Sequence, residues 1–473
     1  MNKFVGRRRE LQRLEDALEN VKRSGGGQII SVRGRRQIGK SRLMEEFIKR
    51  TKTKAVFYVA SQMSAEEELA AFRDAIASSP ADTAALATQN ELGSWQAALT
   101  LLANEATSDH PVVVVLDEFP YLCGSYPPIE GVLQTFWDRT LENKRPLLLI
   151  LVGSDITMME QQSTYGRPLF NRVQEHVIEP LSPAEIGEML NLEAPAALEG
   201  YLVLGGFPRL AARWQRGDTI WSFLKRELSD AESSLLVMGE RMLAAEFPAD
   251  LKAQNVIKAI GSGERTFTGI GQRAHVSDQT LLEALRAMEH QKRVIVKGLP
   301  YSSVPRRKLS HYSISDPYLR FWLRFVSTQI TTVQRGRGDV VLARIKKSWP
   351  EYRGRAIEPL IRRGIEHLLP DDRFGEALFV GGYWNRDSSV EVDLVGGSEE
   401  AKADPVEFIG SVKWRESGAF GRSDLAALTT QRADVPGTSG ETLLIGVSPT
   451  GFDVNGLDVE LDAEDILRAY AGR

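Results

Sequence analysis

A glycine-rich loop between an apolar run and a helical run constrains the fold of this chain more than any other feature. Residues 28–32 form a short β-rich apolar run, and residues 34–41 match the pattern G-x-x-x-x-G-K-[ST] in full. The backbone N–H groups of such a loop can surround phosphates, and the N-terminus of the following helix also favours anions. We therefore predict a P-loop in an α/β domain with a parallel sheet. The alternative is an incidental turn rich in glycine and basic residues.

The predicted loop assigns separate roles to its residues. Lys40 is expected to reach the β- and γ-phosphates of ATP, and the Ser41 hydroxyl is expected to bind Mg²⁺. The other positions expected to contact the nucleotide are Gly34, Arg35, Arg36, Gln37, Ile38, Gly39 and Arg42. ATP and Mg²⁺ are therefore the expected cofactors.

A second apolar run ends in two acidic residues. Residues 112–116 are four valines and a leucine, and Asp117 and Glu118 follow directly. This is a Walker B pattern, in which Asp117 holds Mg²⁺, directly or through water, and Glu118 acts as general base on the attacking water. The alternative is a solvated strand end that happens to be acidic.

Three further polar residues are candidates for the same site. Ser154 follows the apolar run 147–152 and is expected to sense the γ-phosphate or the attacking water, unless it caps the next turn. Arg167 and Arg172 are candidate arginine fingers toward a neighbouring subunit of a homo-oligomer, and we include Arg172 among the catalytic residues. Surface salt bridges are the alternative for both arginines.

The pattern of apolar residues divides the chain into four predicted regions. Five apolar runs separated by helical patterns predict the sheet of a doubly wound domain, and a helical region follows it. Three helices followed by a hairpin then predict a winged helix-turn-helix, and a further α/β unit ends the chain. The predicted boundaries are 1–180, 181–247, 248–330 and 331–473.

The predicted winged helix is rich in basic residues. The whole chain has a formal net charge of −4, so any attraction to DNA must come from local basic faces. Candidates for phosphate contacts are Arg286, Lys292, Arg293, Lys297, Arg306, Arg307 and Lys308. Winged helices also contact proteins, and packing between domains is a further alternative.

Residues 1–240 resemble the archaeal-type ATPases of the AAA+/STAND group. The resemblance is carried by Phe4-Val5-Gly6-Arg7, the P-loop, Leu116-Asp117-Glu118-Phe119, Val152-Gly153-Ser154 and Gly205-Gly206-Phe207-Pro208. It implies a P-loop NTPase sheet of AAA+/ASCE type with a helical lid, and five strands ordered with an extra strand between the P-loop strand and its neighbour. It also implies that Gly6, Arg7 and Pro208 border the adenine. A helix start and a helix break are the alternatives for these two segments.

The C-terminal region resembles the PD-(D/E)XK nuclease core, which implies a restriction-endonuclease-like α/β domain. The resemblance rests on Glu358 in a predicted helix over 355–369, on Asp393, and on Lys413 in a predicted strand over 406–413. It implies that the carboxylates hold Mg²⁺ and that the lysine orients water. Ser411 stands where the pattern has an acid. The alternatives are therefore active cleavage, a fold retained for binding or assembly, and an unrelated α/β module.

Composition excludes several other classes of protein. Cys123 is the only cysteine, so an intrachain disulfide or a site of several thiolates is excluded. The longest apolar runs are far shorter than the about 18 residues of a membrane span, and the N-terminal stretch lacks the apolar core of a signal peptide. We expect a cytoplasmic ATPase that couples its nucleotide state to DNA binding or processing. The alternative is a slow nucleotide-gated switch that acts through protein partners.

Overall fold

The computed structural model describes residues 4–81, 93–142, 145–247, 250–304, 306 and 309–471. The chain divides into two compact units, residues 1–181 and 182–473. None of the helices in these described ranges combines the length and the apolar composition needed to cross a membrane.

A five-stranded parallel sheet forms the centre of the first unit. Its strands are β1 (Gln28–Arg33), β2 (Lys54–Val59), β3 (Val112–Asp117), β4 (Leu147–Gly153) and β5 (Val173–Val177). Their order is β2-β3-β4-β1-β5, and every neighbouring pair is parallel. Strand β4 therefore separates the P-loop strand β1 from β3, which is the extra strand that the resemblance implies.

Helices cover this sheet and bury its central strands completely. Every residue of β3 and β4 is buried, as expected for valine and leucine runs in a sheet covered on both faces. The helices are Arg8–Ser24, Lys40–Thr51, Ala65–Ala77, Trp95–Glu105, Phe119–Ser125, Ile129–Phe136 with a π-helical continuation Trp137–Leu141, and Ile156–Gln162.

The second unit begins with helices only, as the sequence predicts for the region after Ser182. They are Pro183–Leu190, Ala194–Leu204, Pro208–Ala211, Ile220–Glu227 and Ser234–Glu246. Gly205, with φ 56°, ends the second of them, and its missing Cβ leaves room for Tyr318, which a side chain would meet at 3.1 Å.

Three helices and a hairpin follow. The helices are Leu251–Gly261, Phe267–Ala274 and Asp278–Arg286, and the third continues as a π-helical turn, Ala287–Gln291. The antiparallel strands β6 (Ile295–Gly298) and β7 (His311–Ile314) form the hairpin. This is the element order predicted for residues 248–330. Residue 248 and two basic candidates, Arg307 and Lys308, lie outside the described residues.

Buried aromatic residues mark the passage into the C-terminal part. The helix Pro317–Phe321 continues as a π-helical segment Trp322–Val326, and the helix Ile330–Gln334 follows. The Tyr318 hydroxyl donates to the carbonyl of Leu235 at 2.9 Å, and the Trp322 indole N–H donates to that of Leu236 at 2.8 Å. These rings therefore belong to the core, as we expected from the sequence.

The C-terminal part contains a mixed five-stranded sheet. Strands β8 (Phe379–Trp384), β9 (Glu391–Gly397) and β10 (Phe408–Val412) pair antiparallel, and β12 (Leu443–Val447) and β14 (Val459–Leu461) extend the sheet in parallel. The short strands β11 (Phe420–Gly421) and β13 (Phe452–Asp453) form a separate pair. The helices here are Gly338–Leu368, Arg422–Arg432 and Ala463–Ala471, with a 3₁₀ turn Asp372–Phe374.

Two predicted boundaries in this part are wrong. The helix carrying Glu358 begins at Gly338, not at 355, and it contains Pro350 and Pro359. Proline normally interrupts a helix, but here a buried stripe that includes Ile345 continues across both prolines, so tertiary packing overrides the local preference. Strand β10 ends at Val412, and Lys413 therefore follows the strand.

Candidate functional site

The P-loop requires glycine at its first position because the chain passes very close to another segment. A Cβ atom on Gly34 would lie 2.4 Å from the carbonyl oxygen of Ile178 and 2.7 Å from the Ile38 side chain. Gly39 has φ 90°, a conformation that favours glycine, and the helix begins at the next residue, Lys40. The loop therefore takes its shape from its two glycines and from the residue just after β5.

Lys40 points back into the loop. Its Nζ donates hydrogen bonds to the carbonyl oxygens of Gly34 and Arg35, both at 2.8 Å. Burial lowers the pKa of Lys40 to about 8, although the carboxylates of Glu118 and Asp117 oppose this change. The ammonium group is thus held inside the loop, where phosphate oxygens can replace the two carbonyl acceptors.

The oxygen donors expected to hold Mg²⁺ are in contact with each other. Ser41 Oγ donates to Asp117 Oδ2 at 2.5 Å. Within the described ranges no group of three or more His, Cys, Asp and Glu could hold a metal ion. One hydroxyl and one carboxylate suit Mg²⁺, which keeps several waters and binds substrate phosphates when few protein ligands are present. The residues present therefore fit a nucleotide-bound Mg²⁺ ion.

Glu118 has a strained backbone and a defined side-chain partner. Its φ is 52°, which is uncommon for a residue other than glycine and occurs often at functional sites. Ser154 Oγ donates to Glu118 Oε2 at 3.0 Å. The helix Ile156–Gln162 is capped by Asp155, so the capping role that was the alternative for Ser154 belongs to its neighbour. Ser154 therefore contacts the predicted general base, and its role as a sensor of the γ-phosphate or the attacking water stays a prediction.

Arg7 has a contact that the sequence did not reveal. The side chain is only 4% exposed, and its guanidinium donates to the carbonyl oxygens of Ile38 at 2.9 Å and Glu179 at 2.5 Å. Arg7 has an αL backbone and directly precedes the first helix, and no sequence pattern marks an arginine at this place as a contact of the P-loop. Arg7 fastens the P-loop to the segment after β5, and its predicted contact with adenine stays a prediction.

The other basic residues of the loop have partners nearby. The guanidinium of Arg36 lies 5.9 Å from the centre of the Tyr121 ring, and Arg42 pairs with Glu45 on its own exposed helix face at 2.8 Å. Gln37 has φ 65°, so the loop is strained between its two glycines. The nucleotide contacts expected of Arg35, Arg36, Gln37 and Arg42 stay predictions.

Both candidate arginine fingers make ion pairs within the chain. Arg167 Nη2 lies 2.6 Å from Glu130 Oε1, and the Glu130 side chain is 7% exposed. Arg172 donates two hydrogen bonds to Asp138, at 2.9 and 3.1 Å, and these bonds raise the pKa of the guanidinium. The salt bridges that we gave as the alternative are therefore present, and a role for Arg172 in a partner's site stays a prediction.

The C-terminal candidates are only partly brought together. Glu358 and Asp393 line one cavity, and Arg362 connects them by donating to Glu358 Oε2 at 2.9 Å and to the carbonyl oxygen of Asp393 at 2.7 Å. Ser411 Oγ donates to Asp393 Oδ2 at 3.1 Å. Lys413 does not line this cavity, so the expected convergence of three residues is incomplete.

Arg362 was missed by the sequence reasoning although its signal was present. It stands four residues after Glu358 on one helix, the spacing at which opposite charges pair.

Two other predicted nucleotide contacts, Gly6 and Pro208, lie in different units. Gly6 has φ 75° in the first unit, and Pro208 begins a helix in the second. Their contacts with adenine stay predictions.

Comparison with known proteins separates the two parts of the chain. Residues 4–198 match a family described as an ATPase domain predominantly from Archaea. With the P-loop strand, loop and helix in place, this region has the fold of a P-loop ATPase domain. Residues 322–425 match a family described as archaeal and bacterial proteins of unknown function, so the comparison leaves the nuclease resemblance a prediction.

Two similar proteins extend over most of the chain. An uncharacterized protein of Methanocaldococcus jannaschii is 25% identical over 422 residues, which are 87% of this chain and 88% of that protein. The structure of a Walker-type ATPase of Pyrococcus abyssi covers 68% of this chain and 96% of its own, with 20% identity and a TM-score of 0.51. At this identity the likeness concerns the fold alone, and it agrees with the P-loop ATPase domain.

Proposed function

We propose that the chain binds ATP with Mg²⁺ and hydrolyses it at the carboxyl ends of β1 and β3. The observation that carries this proposal is the hydrogen bond of 2.5 Å between Ser41, which follows the P-loop lysine, and the Walker B residue Asp117. Lys40 and Glu118 flank this pair in sequence. This contact joins the P-loop helix to the end of β3, which is the arrangement that binding of a nucleotide with its metal ion requires.

The residues have distinct parts in the proposed reaction. Bound Mg²⁺ supplies charge neutralisation on the phosphate oxygens. Ser41 and Asp117 hold it, and Lys40 leaves the carbonyl oxygens of its loop to contact the β- and γ-phosphates. Glu118, oriented by Ser154, accepts the proton of the attacking water.

The first test compares two variants on one helix. Lys40→Ala removes the proposed phosphate contact, and Arg50→Ala removes an exposed residue that pairs with Glu46 on the same helix. We expect Lys40→Ala to lower ATP affinity at least tenfold in calorimetric titration and Arg50→Ala to leave it unchanged. Unchanged affinity in Lys40→Ala would contradict nucleotide binding by this loop.

We further propose that nucleotide state is coupled to DNA binding through the three helices and hairpin of residues 250–314. Arg286, Arg293 and Lys297 are exposed, and they lie at the end of the third helix and on the hairpin. Exposed cations in this arrangement suit phosphate contacts. The second candidate function is a slow switch that works through protein partners.

Steady-state hydrolysis with and without duplex DNA separates these two functions. A several-fold stimulation by DNA that disappears at high salt supports coupling to DNA. Slow hydrolysis that is indifferent to DNA supports the switch. Gel filtration with and without a non-hydrolysable ATP analogue then tests for the homo-oligomer in which Arg172 could reach a partner's phosphate.

For the C-terminal part we propose a nuclease-like fold retained for binding or assembly. Ser411 replaces the expected acid and donates to Asp393, while Arg362 uses Glu358 as an ion-pair partner. This leaves one carboxylate too few for the metal site that the resemblance implies. A metal-dependent cleavage assay is the test: activity in the wild type that Asp393→Ala and Lys413→Ala both lose would overturn this proposal.

A further inference from the structure

The second unit contains a cavity of about 580 Å³ that is lined by Glu358 and Asp393 and also by arginines that neither the ATPase reaction nor the nuclease resemblance requires. The hairpin β6–β7, the helix Gly338–Leu368 and the strands β8 and β9 line it. The described residues that line it all belong to the second unit. Its volume falls in the range of about 300–1,000 Å³ that is typical of small-molecule sites.

Three arginines, Arg320, Arg355 and Arg362, line this cavity together with Glu358. Arg362 pairs with Glu358, and Arg320 donates to the backbone carbonyl oxygen of Arg355 at 3.2 Å. Arg355 is exposed at the cavity wall and lies 3.5 Å from the exposed carboxylate of Glu351. Among the described residues, no carboxylate lies within 4 Å of the Arg320 guanidinium.

The other acidic residues of the wall already have partners. Asp393 accepts hydrogen bonds from Ser411 and from the backbone N–H of Val412, at 3.1 and 2.8 Å. Glu391 lies 3.3 Å from Arg265, and Glu366 accepts from the backbone N–H of Val380 at 3.1 Å. These acids are therefore committed to groups other than the Arg320 guanidinium.

The cavity wall carries more positive than negative charge. The described residues that line it include five arginines against four carboxylates, namely Arg265, Arg320, Arg355, Arg362 and Arg363 against Glu358, Glu366, Glu391 and Asp393. Burial lowers the pKa of Arg320, and this change is opposed by Tyr352 and Glu358 and favoured by the charges of Arg362 and Arg355. Cations held together in a recess are unfavourable unless an anion accompanies them.

A rigid apolar wall faces part of the same cavity. The ring of Trp384 is stacked on His311 with centroids 4.4 Å apart and planes 5° apart, and its indole N–H donates to the carbonyl oxygen of Leu309 at 2.8 Å. Val296 and Tyr383 also line the cavity. A preformed apolar surface beside a few convergent polar groups is the usual composition of a small-molecule site.

We propose that this cavity binds a small phosphate-bearing ligand of mononucleotide size, with its phosphate held by Arg320, Arg355 and Arg362. A phosphate dianion suits the excess charge of the cluster, and guanidinium groups bind phosphate oxygens in pairs. The remainder of the ligand lies against Val296 and Trp384. The proposal goes beyond ATP hydrolysis and does not rest on it.

Calorimetric titration of the full chain with pyrophosphate and with a 5′-mononucleotide tests the proposal. Because the P-loop also binds phosphates, we expect two sites in the wild type, of which Lys40→Ala loses one. Arg355→Gln and Arg320→Lys are expected to weaken the other site by about tenfold to a hundredfold, since each removes a charge-assisted contact or its fork geometry. Arg355 is exposed, so its replacement leaves the core packing intact.

A matched control lies on the same long helix. Arg344 is exposed, donates to Gln329 at 2.8 Å and does not line the cavity, so Arg344→Gln is expected to retain both sites. A single site that Lys40→Ala abolishes, or a second site unchanged in both Arg355→Gln and Arg320→Lys, would overturn the proposal. Binding of a short 5′-phosphorylated oligonucleotide without binding of either small probe would also overturn it. If the ATPase proposal failed instead, Lys40→Ala would remove no binding site, so the two failures can be distinguished.

Discussion

The low pKa of Lys40 makes ATP affinity depend on pH in a defined direction. Burial brings the pKa of this ammonium group to about 8 in the free protein. Phosphate oxygens favour the charged form, so bound ATP raises the pKa again. Below pH 8 the lysine is protonated before and after binding. Above pH 8 the free protein has lost a proton that binding must restore, so affinity falls as pH rises.

The magnitude follows from the two protonation states. With a free-protein pKa of about 8, close to nine tenths of the lysine is charged at pH 7 and about one tenth at pH 9. If the bound lysine stays charged throughout, ATP affinity falls about tenfold between these pH values, or about 1.4 kcal/mol. The effect arises within the chain, because the γ-phosphate of ATP is already ionised over this range.

Calorimetric titration with Mg²⁺-ATP at pH 7, 8 and 9, in buffers of different ionisation enthalpy, measures both affinity and proton uptake. We expect uptake of nearly one proton at pH 9 and very little at pH 7. Lys40→Arg is the control, because a guanidinium stays charged at pH 9 and should flatten the profile. Equal affinity of the wild type at pH 7 and 9, without proton uptake, would show that Lys40 does not change its protonation state on binding.

Three further predictions concern single contacts. Arg7→Ala should lower the melting temperature and weaken ATP binding, because it removes one buried and one partly buried hydrogen bond of a charged donor, each worth about 1.5–3 kcal/mol. Arg50→Ala should do neither. Arg172→Ala should change the free energy of unfolding by less than about 1 kcal/mol, since Asp138 is exposed. If this variant lowers the hydrolysis rate of the assembled protein by near 1,000-fold, Arg172 is an arginine finger. The double variant Arg286→Gln and Lys297→Gln should weaken DNA binding and reduce the slope of log affinity against log salt by about 0.9 per lost contact, measured by fluorescence anisotropy.

The parallel sheet and its nucleotide loop could be predicted from sequence because their signals are local. Four apolar residues in a row before Leu116 indicate a buried strand, and the spacing from Gly34 to Ser41 fixes a loop. Each signal lies within about ten residues, so no knowledge of distant contacts is needed. The structure therefore agrees with these predictions to within a few residues at each end.

Contacts between distant segments could not be predicted in this way. Arg7 and Ile38 are 31 residues apart, and the excess charge around Arg320 depends on a helix and a hairpin that meet only in the folded chain. The helix from Gly338 contains two prolines, which local rules treat as breaks, and buried side chains on one face keep it continuous. In each case packing between distant segments, not the local sequence, determines the structure.

The proposed hydrolysis of ATP at this site requires Glu118 as general base. Single-turnover hydrolysis of Mg²⁺-ATP by the wild type and by Glu118→Gln tests it most directly, with ATP affinity measured on the same samples. We expect unchanged affinity and a rate reduced by about a hundredfold or more in the variant. Equal rates in the two proteins would contradict it.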